Sequence, residues 1–191
     1  MNHPSENISK LQEEIFAKQK ELAALRLAQE PEPIANYAFT DSKGASTDLL
    51  KLFGEAEELL LIHNMGKACV YCTMWADVIS GMAHIIQDRV KIVLTSPDNY
   101  KIMSEFANSR NWKLDCYSYE GSNFSLDLGF AEDKNNRRWY SPGVSALTRK
   151  GTSIYRRSYD VFGPGDSYCA PWHLFALLPE GNANWEPKYS Y

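Results

Sequence analysis

Two apolar runs, Leu59 to Asn64 and Val90 to Thr95, bracket a stretch in which Trp75, Val78, Ile79, Met82 and Ile86 recur at helical spacing. A short continuous apolar run reads as a strand buried on both faces, and apolar residues at steps of three and four read as one side of a helix. Strand, helix and strand within about 35 residues form a βαβ unit, whose parallel strands need both sheet faces covered. The expected class is therefore α/β, with a mixed central sheet flanked by helices. At the junction of the first strand and the helix stands Cys69-Val70-Tyr71-Cys72.

Composition excludes several other uses of such a chain. With 191 residues, 44% of them apolar and 23% charged, it has the balance of a globular protein built around one main core. Twenty-four acidic against twenty basic side chains give a formal net charge of −4, so no nucleic-acid partner is expected. The longest aliphatic run, Leu59-Leu60-Leu61-Ile62, is far short of the roughly 18 residues of a membrane helix, so no membrane partner is expected either. The polar start, Met1 to Asn7, has no secretory pattern, which points to the cytoplasm and to thiols rather than a disulfide framework.

Three regions follow from the patterning. Residues 1–30 read as an N-terminal amphipathic helix, 31–180 as the main domain and 181–191 as an irregular aromatic tail. In the first, Ile8, Leu11, Ile15, Leu22 and Leu25 form a stripe behind a Ser5 N-cap, with Lys18 interrupting the seam. That stripe either folds onto its own domain or pairs with a second copy in a homodimer. Glu30-Pro31-Glu32-Pro33 then ends the helix. Further on, Tyr37 and Phe39 suggest a short strand, Leu49 to Phe53 a helical turn, Tyr100 to Ser109 a helix and Leu114 to Tyr119 a strand. Residues 120–140 read as loop with one helical turn. Gly143 to Arg149 and Thr152 to Arg157 form a hairpin around Lys150-Gly151, and Pro171 to Leu178 a last helix.

The cysteine pair carries the chemistry. A cysteine at a helix N-terminus meets unpaired N–H groups and the positive end of the macrodipole, which favour a thiolate. A second thiol one turn further lies on the same face, within reach of a disulfide. The pair thus reads as the nucleophile, Cys69, and the resolving thiol, Cys72, of a dithiol exchange enzyme acting on a protein or small-molecule disulfide or thiol, with no metal and no organic cofactor. Lys67 adds positive charge upstream. A zinc site needs two more ligands, and Cys116, Cys169 and His63 are too scattered to supply a second close pair. A second reading keeps the fold and makes the chain a binding module, assembled through its helix and aromatic tail, with incidental cysteines. Cys116 and Cys169 read as inert buried thiols, with Cys169 the alternative third redox site. The basic residues between Lys134 and Arg157 read as a solvated hairpin edge or as a patch for an anionic partner.

The order strand, Cys-x-x-Cys, long helix, strand, helix, Pro-led hairpin and terminal helix resembles the thioredoxin fold. More closely, Cys69-Val70-Tyr71-Cys72 followed by Trp75-Ala76-Asp77, with the later Pro142-Gly143-Val144, is similar to an uncharacterised bacterial thioredoxin-like family. The resemblance implies a cis Ser141–Pro142 bond beside the cysteines, with the Ser141 backbone free to pair with substrate, and it makes Tyr71, Trp75, Ser141 and Pro142 substrate-binding. Thioredoxins bury a carboxylate six residues before the first cysteine; here that place holds His63, either a base for Cys72 or a hydrogen-bonded core histidine. The peroxiredoxin pattern Pro-x-x-x-Thr/Ser-x-x-Cys fits neither thiol, since Met65 and Cys69 precede Cys72 at those places and Ile62 and Gly66 precede Cys69.

Overall fold

Ser5 caps the first helix by accepting from the Ile8 N–H at 3.4 Å, and Pro31 and Pro33 follow its end, so α1 spans Glu6–Ala28. The computed structural model describes residues 5–191. Three short strands come next, β1 (Glu32–Ile34), β2 (Ala38–Thr40) and β3 (Ser46–Asp48), then one turn of helix, α2 (Leu49–Leu52). The βαβ unit follows as β4 (Glu58–His63), α3 (Val70–Gly81), α4 (Ala83–Gln87) and β5 (Lys91–Ser96). The expected single helix is broken at Met82, which has φ −105° and ψ 9°. Next come α5 (Tyr100–Ser109), β6 (Asp115–Ser118), α6 (Phe124–Asp127), β7 (Ala131–Lys134), β8 (Arg137–Tyr140), the hairpin β9 (Gly143–Lys150) and β10 (Ser153–Val161), and α7 (Ala170–Phe175).

Eight strands form one sheet in the order β1-β10-β9-β4-β5-β6-β2-β3. The strands β4, β5 and β6 are parallel, while β9 runs antiparallel to β4, with Gly143 opposite His63. Alternation along β4 divides the core. Ile62 joins Met74, Trp75, Ile79 and Met103 on the helical side, whereas Leu59 and Leu61 join Phe39, Phe53, Phe124 and Phe130 on the other. Each buried Leu or Ile contributes roughly 1.5–3 kcal/mol, which makes this two-sided strand the anchor of the fold.

Two expectations are corrected here. Residues 120–140 are not mainly loop: β7 and β8 pair as a ribbon turning at Asn135 and Asn136, both with positive φ (53° and 57°). An Asn-Asn pair between two charged runs carries that hairpin signal. The α1 stripe does not fold onto its own domain. No residue of α1 is buried, and Ile8, Leu11, Ile15, Leu22 and Leu25 stand about half exposed. Among the described residues the helix is held at its base, where Arg26 pairs with Asp160 and the Leu27 carbonyl accepts from Arg157 at 3.5 Å.

Candidate active site

The loop leaving β4 is set by side chains that fold back onto its backbone. Asn64 continues the strand by donating its N–H to the Thr95 carbonyl at 2.9 Å, and its Oδ1 accepts from the Gly66 N–H at 2.7 Å. Asp98 accepts from the Lys67 N–H at 2.6 Å. Gly66 has φ +100°, and a Cβ there would lie 2.8 Å from Asp98 Oδ1, so both its conformation and its neighbour demand glycine. Asn64, Gly66 and Asp98 were not singled out from sequence; Asn64-Met65-Gly66 has the composition of a tight turn, which is the one signal present.

This loop delivers Cys69 as the N-cap of α3. Its Sγ accepts the Cys72 N–H at 3.1 Å, and its carbonyl accepts from the Thr73 N–H and hydroxyl, both at 3.0 Å. Cys69 is half-buried, whereas Cys72 is 2% exposed. A hydrogen bond from the Cys72 thiol, opposed by burial and helped by the backbone N–H groups of Cys72 and Tyr71, brings the Cys69 thiol down to about 7. The same hydrogen bond, with burial and the Cys69 charge, drives Cys72 strongly upward. One thiol is thus poised to ionise near neutrality while its neighbour holds its proton. Lys67 takes part through its backbone, its N–H held by Asp98 and its carbonyl by Tyr189.

The remaining expected site residues separate. Tyr71 lies against Trp75 and Trp172, at 6.3 and 6.5 Å between ring centroids. Trp75 is a core residue, 3% exposed and packed on Phe162, so it backs Tyr71 rather than meeting a substrate. His63 points into the aromatic layer, stacked on Phe130 at 3.7 Å and Phe124 at 5.5 Å, with Nε2 hydrogen-bonded to Ser145 at 2.9 Å. Burial, then the nearby Arg156 charge, holds its pKa well below the ordinary histidine value. Of the two readings, the core histidine describes its contacts; it makes no hydrogen bond to Cys72. With Nδ1 unpartnered, the tautomer that donates from Nε2 leaves a lone pair buried rather than an orphan N–H.

Pro142 sits one residue beyond the Gly143–His63 pair, at the sheet end from which the cysteine loop springs. The expected cis bond is absent: no peptide bond among the described residues is cis. Nor is the Ser141 N–H free, because it donates to the Phe130 carbonyl at 2.8 Å, while the Pro142 carbonyl accepts from Phe162 at 2.9 Å. These two bonds tie the segment on both sides. At Gly143 a Cβ would fall 2.3 Å from the Asp160 carbonyl oxygen and 2.4 Å from Phe130 Cε1, so the glycine of Pro142-Gly143-Val144 is a packing requirement. Asp77, of Trp75-Ala76-Asp77, accepts from Arg110 Nε at 3.1 Å and Trp112 Nε1 at 2.7 Å, locking α3 to the end of α5. Cys116 and Cys169 are buried, and burial raises both, to about 12 and about 11. Among the described residues no three His, Cys, Asp or Glu side chains form a metal-binding group, and no helix is long and apolar enough to cross a membrane.

Comparison with solved structures finds the same fold at low identity. The peroxidoxin BcpB of Mycobacterium tuberculosis is similar with a TM-score of 0.57 and 17% identity, over 82% of this chain and 97% of that one. Reduced Prx3 of Vibrio vulnificus, in complex with H2O2, gives 0.56 and 12% over 72% and 90%. A hypothetical protein from Sinorhizobium meliloti 1021 gives 0.54 and 9% over 85% and 88%. No curated protein matches the chain by sequence. The fold is thioredoxin-like, in the form peroxiredoxins share, and residues 5–190 match the profile of one family throughout. The chain belongs to the family described as bacterial protein of unknown function (DUF899).

Proposed function

We propose that the protein is a thiol–disulfide oxidoreductase in which Cys69 attacks and Cys72 resolves. The observation that carries this reading is Cys69 Sγ at the helix N-cap, accepting the Cys72 N–H and brought to about 7, beside a buried, protonated Cys72. The Cys69 thiolate attacks one sulfur of a disulfide RS–SR′; a Cys69–SR bond forms, the S–S bond breaks and R′S⁻ leaves to take up a proton. Cys69 is then neutral, so both the acceptor of the Cys72 proton and the charge that raised it have gone. Cys72 then releases its proton to water, helped by the Met65 backbone N–H, and its thiolate attacks Cys69 Sγ and expels RS⁻, which takes up a proton. The substrate disulfide is reduced to two thiols and the pair is oxidised to Cys69–Cys72, for a dithiol reductant to restore.

The test is a trap. Cys72→Ser, offered a disulfide at pH 7, is expected to accumulate a mixed disulfide on Cys69, detected by intact mass; Cys69→Ser is expected to form none. A Cys69 inert to disulfide and to iodoacetamide at pH 7 removes the enzyme reading and leaves the binding module.

The unburied stripe of α1 supports one assembly step. Five large apolar residues at heptad-like spacing on a helix anchored at one end stay about half exposed among the described residues, and pairing with α1 of a second copy buries them.

A further inference from the structure

Beyond Phe175 the chain has no helix or strand, yet its end is fixed. Trp185 packs on Trp172 and Phe175 at 5.4 and 5.0 Å, and Tyr191 stacks on Trp185 at 6.1 Å. Pro187 is buried. From there the chain reaches the cysteine loop. The Tyr189 hydroxyl donates to the Lys67 carbonyl at 3.1 Å, two residues before Cys69, and its ring meets Phe106 edge-on at 6.2 Å. Its carbonyl accepts from Arg110, which is itself held by Asp77 of α3. On the other side of the tail a groove of about 690 Å³ runs between Tyr71, Trp172, Trp185 and Glu186. Tyr71 is therefore flanked by the tail on a surface next to the attacking thiol.

A disulfide on a folded protein reaches a thiolate only if a patch of protein surface can settle around it, commonly hundreds of Å² per partner. A slender disulfide needs only an in-line path to the sulfur. Tyr189, 45% exposed and tied to the loop that carries Cys69, stands where the larger surface would rest. The geometry points to the C-terminal tail, with Tyr189 at its tip, as a specificity-determining wall that selects low-molecular-mass disulfides over protein disulfides at Cys69. This inference rests on the reading of Cys69 and Cys72 as an exchange dithiol.

The experiment compares two oxidants on the full chain, 2-hydroxyethyl disulfide and insulin, following the rate at which each oxidises the reduced pair. The readout is the ratio of the insulin rate to the small-disulfide rate. In Tyr189→Ala the ratio is expected to rise about tenfold, as a hydrogen bond and an aromatic contact that pin the tail are both lost. Tyr189→Phe keeps the ring and loses only the bond to Lys67, so a smaller rise is expected. A ratio in Tyr189→Ala within about twofold of the unmodified chain overturns the wall while leaving the exchange reading intact, and so does a rise in both rates together. A Cys69 that reacts with neither oxidant in the unmodified chain overturns the exchange reading and the wall with it.

Discussion

Replacing Cys72 by alanine isolates the group that contributes most to lowering the Cys69 pKa. The variant removes the Cys72 thiol donor but keeps the backbone N–H that reaches Cys69 Sγ at 3.1 Å and the N-cap position on α3. A hydrogen bond to a charged group contributes roughly 1.5–3 kcal/mol, and one pKa unit is about 1.4 kcal/mol. Cys69 is only half-buried, so solvent screens part of that effect and the lower end applies, about one unit. Losing a donor to the thiolate disfavours the charged form, so the pKa rises from about 7 to about 8. At pH 7 the thiolate fraction falls from about half to about a tenth, and alkylation of Cys69 slows about fivefold. At pH 9.5 the two proteins should react alike. The assay is the pseudo-first-order rate with iodoacetamide from pH 5 to 10, with Cys69 followed by peptide mass. Cys72→Ser, which retains a hydroxyl donor, should fall between the two. A Cys72→Ala midpoint indistinguishable from that of the unmodified chain would refute the reasoning and assign the shift to the helix terminus alone.

Burial holds His63 neutral, with a folded pKa well below its unfolded value, so the folded chain binds fewer protons. Its contribution is intact above about pH 6.5 and is lost as pH falls below that, at up to about 1.4 kcal/mol per pH unit. Urea midpoints between pH 7 and 5 should therefore fall less steeply in His63→Gln, which does not titrate; equal slopes would exclude His63 as the source. Gly143→Ala forces a methyl onto the Asp160 carbonyl and the Phe130 ring, and should cost about 3 kcal/mol in urea unfolding; a loss below about 1 kcal/mol would mean that β9 and β10 part easily. Ile15→Glu puts a charge in the centre of the α1 stripe, where 51% of Ile15 is exposed. Light scattering should then drop from twice the chain mass to one, and an unmodified chain that is already monomeric removes the pairing.

What was legible in the sequence follows the physics of each signal. The strand, helix and strand around the cysteines could be read because burial on two faces and helical period leave different patterns, and Leu59 to Ile62 and Trp75 to Ile79 take those places. The Cys69 cap could be read from spacing alone, since Cys-x-x-Cys at a helix start places both sulfurs on one face. What could not be read depends on contacts between distant segments. Asp98 reaches back 31 residues to Lys67, and Tyr189 reaches 122 to the same residue. The tail looked irregular because it has no period, and it is ordered by aromatic packing that no local pattern encodes. The resemblance makes Trp75 substrate-binding; its own neighbours, Phe162 and Tyr71, bury it.

The misplacement of His63 also decides how the proton moves. A residue counted six back from Cys69 lies on β4, but side chains on a strand alternate, and the one facing the helical layer is Ile62. His63 faces Phe124 and Phe130 and is hydrogen-bonded to Ser145, so no side chain on β4 stands ready to take the Cys72 proton. That leaves the neighbouring thiolate, water and the leaving thiolate as acceptors. At rest Cys72 keeps its proton and donates it to the Cys69 thiolate in the hydrogen bond that also lowers the Cys69 pKa. Once Cys69 is in a mixed disulfide, the proton must pass to water or to the departing RS⁻. Resolution should then follow the ionisation of Cys72 itself as pH rises, whereas a buried base would set the pH dependence by its own pKa. In the exchange we propose, control of the second step lies in the coupling of two sulfurs 3 residues apart, and the strand beneath them serves to hold the loop.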